Sequence, residues 1–483
     1  MTSEPSMTPS PQTAPSSPAT EAEAVAVPRR PARSGTRTAV AAGVGTAIEW
    51  YDYGLYTVAA GLVISKVFFS GQSAQVALLA TFAAFAVGFV ARPVGGIVLG
   101  AASDRFGRRP VLIFSLILVG SSTTIVGLLP SSAAIGIWAP LLLLLMRVTQ
   151  GFGAGAEMAG AIIIANESAT PGRKSYLSSL AMAGATFGVL TASVLFAVTS
   201  AVFSAEDFLS FGWRIPFLLS AVFTGIGLVL RRSMLESPEF EEVQHERQRG
   251  ELAQAHRNPL VAMAKAVKAS PRNWVAGFLV PSGLNVTSYI TSAFAISYIS
   301  GALRLPGSYA LLMSCAVFGS GFLALLVFGR LGDTIGVRRV MFIGIAGALL
   351  LAVPYVAILK AGAIVPIIIA SVALNAFGWA GVAAAHTVLM PALFRAEYRS
   401  SGLFSSRELQ GALIAGPTPL LAAFLVGQLG GEPWIVAGIL AAAQLMTLAG
   451  IFLGRPLFSA EELAETPALK GYAATPTAVG GAR

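Results

Sequence analysis

Charge is what this 483-residue chain has least of: Asp, Glu, Lys and Arg make up only 11% of it, where a soluble domain carries about 25%. A chain of this length needs far more polar side chain than that to cover a water-facing surface, so a soluble globular fold is excluded. Cysteine is nearly absent. Cys315 stands alone inside an apolar run, which rules out an intramolecular disulfide and a thiolate metal cluster. His245, His256 and His386 are the whole histidine complement and show no ligand spacing. No Gly-x-x-x-x-Gly-Lys-Ser/Thr phosphate loop occurs, so ATP drive is not supported. No grouping of nucleophile, base and orienter marks an enzyme. Neither a metal nor a cofactor is expected.

What the chain does have is apolar length. Hydrophobic residues make 55% of it, and the apolar runs reach the roughly 20 residues that span a bilayer. Their positions predict helices near 38–62, 75–101, 110–130, 138–166, 176–203 and 214–232, then 274–301, 308–329, 339–359, 363–390, 402–426 and 433–454. The expected fold is an all-α membrane protein of twelve transmembrane helices in two pseudo-symmetric six-helix bundles. Its expected parts are a disordered tail over 1–37, a bundle over 38–232, a linker over 233–272, a second bundle over 273–456 and a tail over 457–483. The first 37 residues hold no apolar stretch, so they are not a secretory signal.

Basic residues outnumber acidic ones, 32 to 23, but they sit in short runs between apolar segments rather than on a nucleic-acid-binding face. Arg105, Arg108 and Arg109 follow the second helix, Arg173 and Lys174 the fourth, Arg330, Arg338 and Arg339 the eighth, and Arg395 and Arg399 the tenth. The alternate loops hold only Lys66, Arg214, Arg304 and Lys360. The positive-inside rule then places both termini and the middle loop in the cytoplasm.

Two segments repeat. Gly100, Asp104, Gly107, Arg108 and Arg109 close the second helix; Gly329, Asp333, Gly336, Arg338 and Arg339 close the eighth. Glycine permits a tight turn, Asp can cap a neighbouring helix start, and the arginines suit acidic groups or lipid phosphates at the inner surface. Recurrence at half the helical length predicts two parallel repeats.

This loop resembles that of the major facilitator superfamily. More narrowly, four segments in this order resemble the metabolite:proton symporter family, which carries 2-oxoglutarate, shikimate, citrate, proline or betaine. They are Ile48–Tyr53, Gly88–Pro93, Arg147–Gly151 running on to Glu157, and Gly212–Phe217. One departure is Gly155-Ala156-Glu157, where the family has Gly-Gly-Glu; the carboxylate is kept. The resemblance implies a proton-coupled secondary transporter that imports a small organic acid or zwitterion by alternating access. It also implies residence in a bacterial cell membrane and contacts with lipid, and a monomer is expected. An exporting proton antiporter is the alternative, although such exporters carry a Gly-Pro motif in the fifth helix and this chain reads Ala183–Gly188 without proline. A solute receptor of the same fold would need a folded signalling module, which the tails do not contain.

Seven ionisable residues fall inside the expected helices: Glu49, Asp52, Arg92, Arg147, Glu157, Arg407 and Glu408. Each costs about 2.5–3.5 kcal/mol at a helix centre, so such residues face a bundle interior or a wet cavity. Glu49 and Asp52 share one face and, with Glu157, are candidates for proton coupling; a structural pair with an arginine is the other reading. Arg92 either binds an anionic substrate or neutralises one of those carboxylates. Arg92, Arg147, Gln150, Tyr56, Asn285, Tyr289 and Asn375 are the candidate substrate residues. Asn285 and Tyr289 stand four apart on an unusually polar seventh helix, and Trp379 joins Asn375 on the tenth. Asp104, Arg105, Arg108, Arg109, Asp333, Arg338, Arg339, Arg407 and Glu408 are expected to gate. His386 is read as a loop-side histidine.

Overall fold

The computed structural model describes residues 35–106, 108–155, 165–166, 169–232 and 259–473. The 1–34 part of the tail, most of the linker, Glu157, and the side chains of Asp104, Arg105 and Arg108 lie outside the described residues. The described chain is helical, in twelve runs: α1 (35–68), α2 (Ala74–Phe106), α3 (Arg108–Leu128), α4 (Trp138–Ala154), α5 (Lys174–Val202), α6 (Arg214–Arg232), α7 (271–302), α8 (Gly307–Ile335), α9 (Val337–Ala361), α10 (Ile364–Ala392), α11 (Arg399–Gln428) and α12 (Ile435–Leu453). A short helix, Pro259–Ala269, precedes α7. Nine of these runs are long and apolar enough to cross a membrane on composition alone. The other three have a visible reason for falling short. α1 contains Glu49 and Asp52, α4 runs into undescribed residues, and α7 is polar. Outward faces are greasy, as lipid requires: Val90, Val94 and Val98 recur every four residues along α2, all exposed.

Lipid tails are as apolar as leucine, so close van der Waals fit must hold the helices together, and small residues supply it. At the α2–α4 crossing a Cβ on Gly151 would strike the Gly88 carbonyl, and one on Gly155 the Arg92 carbonyl. The α1–α5 crossing is built the same way, with Gly54 against the Cα of Val189 and Gly188 against Ala47. Gly54, Gly151, Gly155 and Gly188 therefore sit at backbone-to-backbone contacts. Gly336 has a second task. It turns the chain between α8 and α9 at φ 95°, a conformation that costs a side-chain-bearing residue strain.

The odd-numbered helices all start at one end, where Arg109, Arg173, Lys174, Arg338, Arg339, Arg395 and Arg399 gather; we call it the basic end. There the repeat's second Asp spans the halves. Asp333 of α8 accepts hydrogen bonds from the backbone N–H groups of Ser175 (2.7 Å) and Tyr176 (3.1 Å), capping the first turn of α5. Arg330 lies 4.8 Å over the Tyr176 ring. The segment after α12, expected as a tail, is docked over its described part. Ser459 and Glu462 form a reciprocal cap on the helix Ala460–Glu465, Ala468 and Leu469 are buried, and Arg338 donates to the Gly471 carbonyl at 2.9 Å.

Candidate functional site

Three helices each turn one stripe of i, i+3, i+4, i+7 spacing toward the space between the halves, which is how a straight helix lines a cavity. α1 contributes Trp50, Tyr53, Gly54 and Thr57. α5 contributes Met182, Ala185, Thr186 and Val189, and α7 Asn285, Ser288, Tyr289 and Ser292. Phe318, Trp379 and Arg407 complete the wall. Two lining residues fall in wider π-helical turns, Ser292 in Ile290–Phe294 of α7 and Trp379 in Ala376–Gly381 of α10. Such turns re-aim side chains and free backbone groups, and they cluster at functional positions.

Contacts between the halves lie beyond the cavity in both directions. Away from the basic end, Ser300 donates to the Gly61 carbonyl at 3.2 Å, and Gly61 sits so near Ser297 that a Cβ would be 2.8 Å from its nitrogen. Toward the basic end, Asn166 donates to the Thr387 carbonyl at 3.1 Å. The strongest contact there joins α2 to α11: Arg92 Nε donates to Glu408 Oε2 at 2.9 Å and Nη2 to Oε1 at 3.4 Å, both residues 5% exposed. Arg92 is therefore held by Glu408, and it is not among the lining residues. Its guanidinium lies 5.3 Å over Tyr53 and 5.4 Å over Phe89, one layer behind the cavity wall.

Arg147 lies deeper in the first half, 1% exposed and 4.0 Å over the Tyr56 ring, with Nη1 donating to Gln150 Oε1. Gly88 leaves it room, since a Cβ there would be 3.0 Å from Nη2. Its Nε and Nη2 have no hydrogen-bond partner among the described residues. Gln150 passes the network on, donating to Thr123 Oγ1 at 2.9 Å and to the Asp52 carbonyl at 3.4 Å. The Asp52 carboxylate, 2% exposed, accepts from Ser220 of α6 at 2.5 Å; Glu49 is half-buried one turn away. Tyr56 stacks on Phe85, and Phe85 and Phe89 meet Tyr289 edge-on across the halves.

The expected substrate residues thus separate into groups. Asn285 and Tyr289 line the cavity, and Asn285 donates to Gln410 of α11 at 2.8 Å. Asn375 stands behind the wall, donating to the Val317 carbonyl at 3.2 Å. Arg92, Arg147, Gln150 and Tyr56, from α2, α4 and α1, form the layer behind the cavity wall. Of the expected gating residues, Glu408 and Asp333 make inter-half bonds, Arg338 holds the docked C-terminal segment, Arg109 is half-buried, and Arg339 is exposed. Arg407 lines the cavity instead of joining its neighbour in the ion pair. His386 is 1% exposed inside α10, not on the loop side, and this part of α10 packs against α5 and α9. Sequence reasoning did not single out Trp50, Thr57 or Thr186. The four-residue stripe through Asp52's neighbour Tyr53 is the signal that would have found the first two.

Residues 38–464 match the sugar (and other) transporter family. The chain is 33% identical over 415 residues to a putative proline/betaine transporter of Staphylococcus aureus, covering 86% of this chain and 87% of the relative. It is 34% identical over 411 residues to the shikimate transporter of Escherichia coli, covering 85% and 92%. Among solved structures, its fold is like that of the major facilitator superfamily proton:xylose symporter XylE from E. coli. The TM-score is 0.64 at 18% identity, over 86% of this chain and 96% of that one.

Proposed function

The chain belongs to the sugar (and other) transporter family, and from that membership we propose that it imports a small organic acid or zwitterion together with protons across a bacterial cell membrane. Transport proceeds by alternating access, the two halves rocking about the central cavity. One observation carries this reading: the cavity is walled by both halves, and inter-half contacts lie beyond it on either side. Breaking one set while keeping the other exposes the same site to one side at a time.

The substrate class follows from two supports. The relatives named for proline/betaine and shikimate point to molecules that share a carboxylate. The polar stripe of α7 offers amide and hydroxyl partners, and the aromatic rings around it offer apolar surface. Glu49 and Asp52 are the proposed proton carriers; Asp52 accepts from Ser220 at a depth where gaining a proton changes which neighbours it can hold. The basic end faces the cytoplasm in this reading, following the positive-inside rule.

Purified protein in proteoliposomes tests it. Labelled shikimate, L-proline and glycine betaine are offered with the vesicle exterior acidic and the interior alkaline. At least one should accumulate above its outside concentration, and collapsing the pH gradient should abolish the accumulation. Accumulation that requires the opposite gradient would make the protein an exporting antiporter, and no movement of any probe would reject the substrate class.

A further inference from the structure

Among the described residues, Arg407 is the one charged residue lining the cavity, and no described carboxylate joins it there. The nearest carboxylate along the chain, Glu408, is turned to α2 and held by two bonds from Arg92. Arg407 Nη1 has no hydrogen-bond partner among the described residues. A guanidinium cannot shed its charge at this depth, and its planar fork matches a carboxylate. Arg407 therefore sets a fixed cation in the cavity wall, with one buried N–H group, Nη1, left unpartnered among the described residues. Around it stand Asn285 and Ser288 as polar neighbours, and Tyr289 and Trp379 as apolar faces.

We infer that Arg407 anchors the carboxylate of the transported substrate. The inference rests on the import reading above and sharpens it, assigning the anionic contact to α11 rather than to Arg92 or Arg147. It also gives the Arg92–Glu408 pair a second consequence. By bonding both Glu408 oxygens, Arg92 keeps that carboxylate from hydrogen-bonding the anchor. The substrate is then oriented, its carboxylate toward α11 and its remaining atoms against the aromatic rings and the α7 stripe. A substrate without a carboxylate leaves a buried cation unpaired, which is the costly alternative on which discrimination depends.

The test compares binding of shikimate and glycine betaine with binding of their methyl esters to the purified, full-length protein. Wild type should prefer at least one acid over its ester by on the order of tenfold to a hundredfold, the usual effect of one charged hydrogen bond. Arg407→Gln should lower binding of that acid by the same factor, leave ester binding unchanged, and so erase the preference. Arg407→Lys keeps the charge without the fork and should fall between; it also stands in if Arg407→Gln fails to reach the membrane. A folded Arg407 variant that retains the full preference for the acid would overturn the assignment while leaving the import reading intact. Wild type binding neither of these acids nor L-proline would overturn both.

Discussion

Changing Glu408 to Gln removes one charge and almost no volume, and it isolates what the pair with Arg92 contributes. The two residues are 316 positions apart, 5% exposed each, and joined by bonds of 2.9 and 3.4 Å. Removing one partner of a buried pair leaves the other charge uncompensated, at about 3–5 kcal/mol, a large share of the roughly 5–15 kcal/mol that holds a typical fold together. Glu408→Gln and Arg92→Gln should each lower the thermal unfolding midpoint of the purified protein. The double variant, with two amides facing each other, should recover most of the loss, because no charge is left stranded. The pair also bridges the halves on the basic-end side of the cavity. Loss of one charged hydrogen bond, about 1.5–3 kcal/mol, biases the population toward opening there by about tenfold to a hundredfold. Hydrogen exchange over 88–100 and 400–412 reads that bias as faster exchange in Glu408→Gln. Single variants as stable as wild type, or a double variant no better than the sum of the two, would refute the reasoning.

Three further outcomes are expected. Glu49→Gln or Asp52→Asn should abolish accumulation driven by a pH gradient while exchange of substrate across the membrane survives in at least one of them; uptake assays in proteoliposomes check this, and wild-type accumulation in both would remove these residues from coupling. Asp333→Ala loses both bonds to the start of α5, and a lost cap of about 0.5–2 kcal/mol shifts the closed population by about two- to thirtyfold. Transport turnover should fall with binding affinity unchanged, and a large affinity loss at normal turnover would contradict the gating role. Gly155→Leu places a side chain against the Arg92 carbonyl and should abolish membrane abundance, whereas Gly225→Leu, with no atom within 4 Å of the new Cβ, should not; immunoblots of membrane fractions compare them.

Much of the fold is legible because a bilayer leaves the backbone few choices. Every spanning segment must satisfy its own hydrogen bonds, so apolar length located most of the twelve helices, with α1, α4 and α7 the least apolar or least complete, and the repeated Gly–Asp–Gly–Arg–Arg pattern located the two related turns. Helical spacing also carried Asn285 and Tyr289 to one face, and that face lines the cavity. These are local properties, fixed by composition and by a 3.6-residue period. The choice of partner for each interior charge is not local. Glu49, Asp52, Arg92, Arg147, Arg407 and Glu408 look alike in sequence, each an ionisable group in an apolar run. Which pairs with which depends on how helices from opposite halves approach and rotate. Arg407 and Glu408 show it most plainly. Neighbours on a helix point about 100° apart, so one turn of α11 sends the carboxylate to Arg92 on α2 and the guanidinium into the cavity. The sequence by itself put both charges in the membrane; only the packing of α11 between α2 and α7 decided that one closes the bundle and the other faces the cavity.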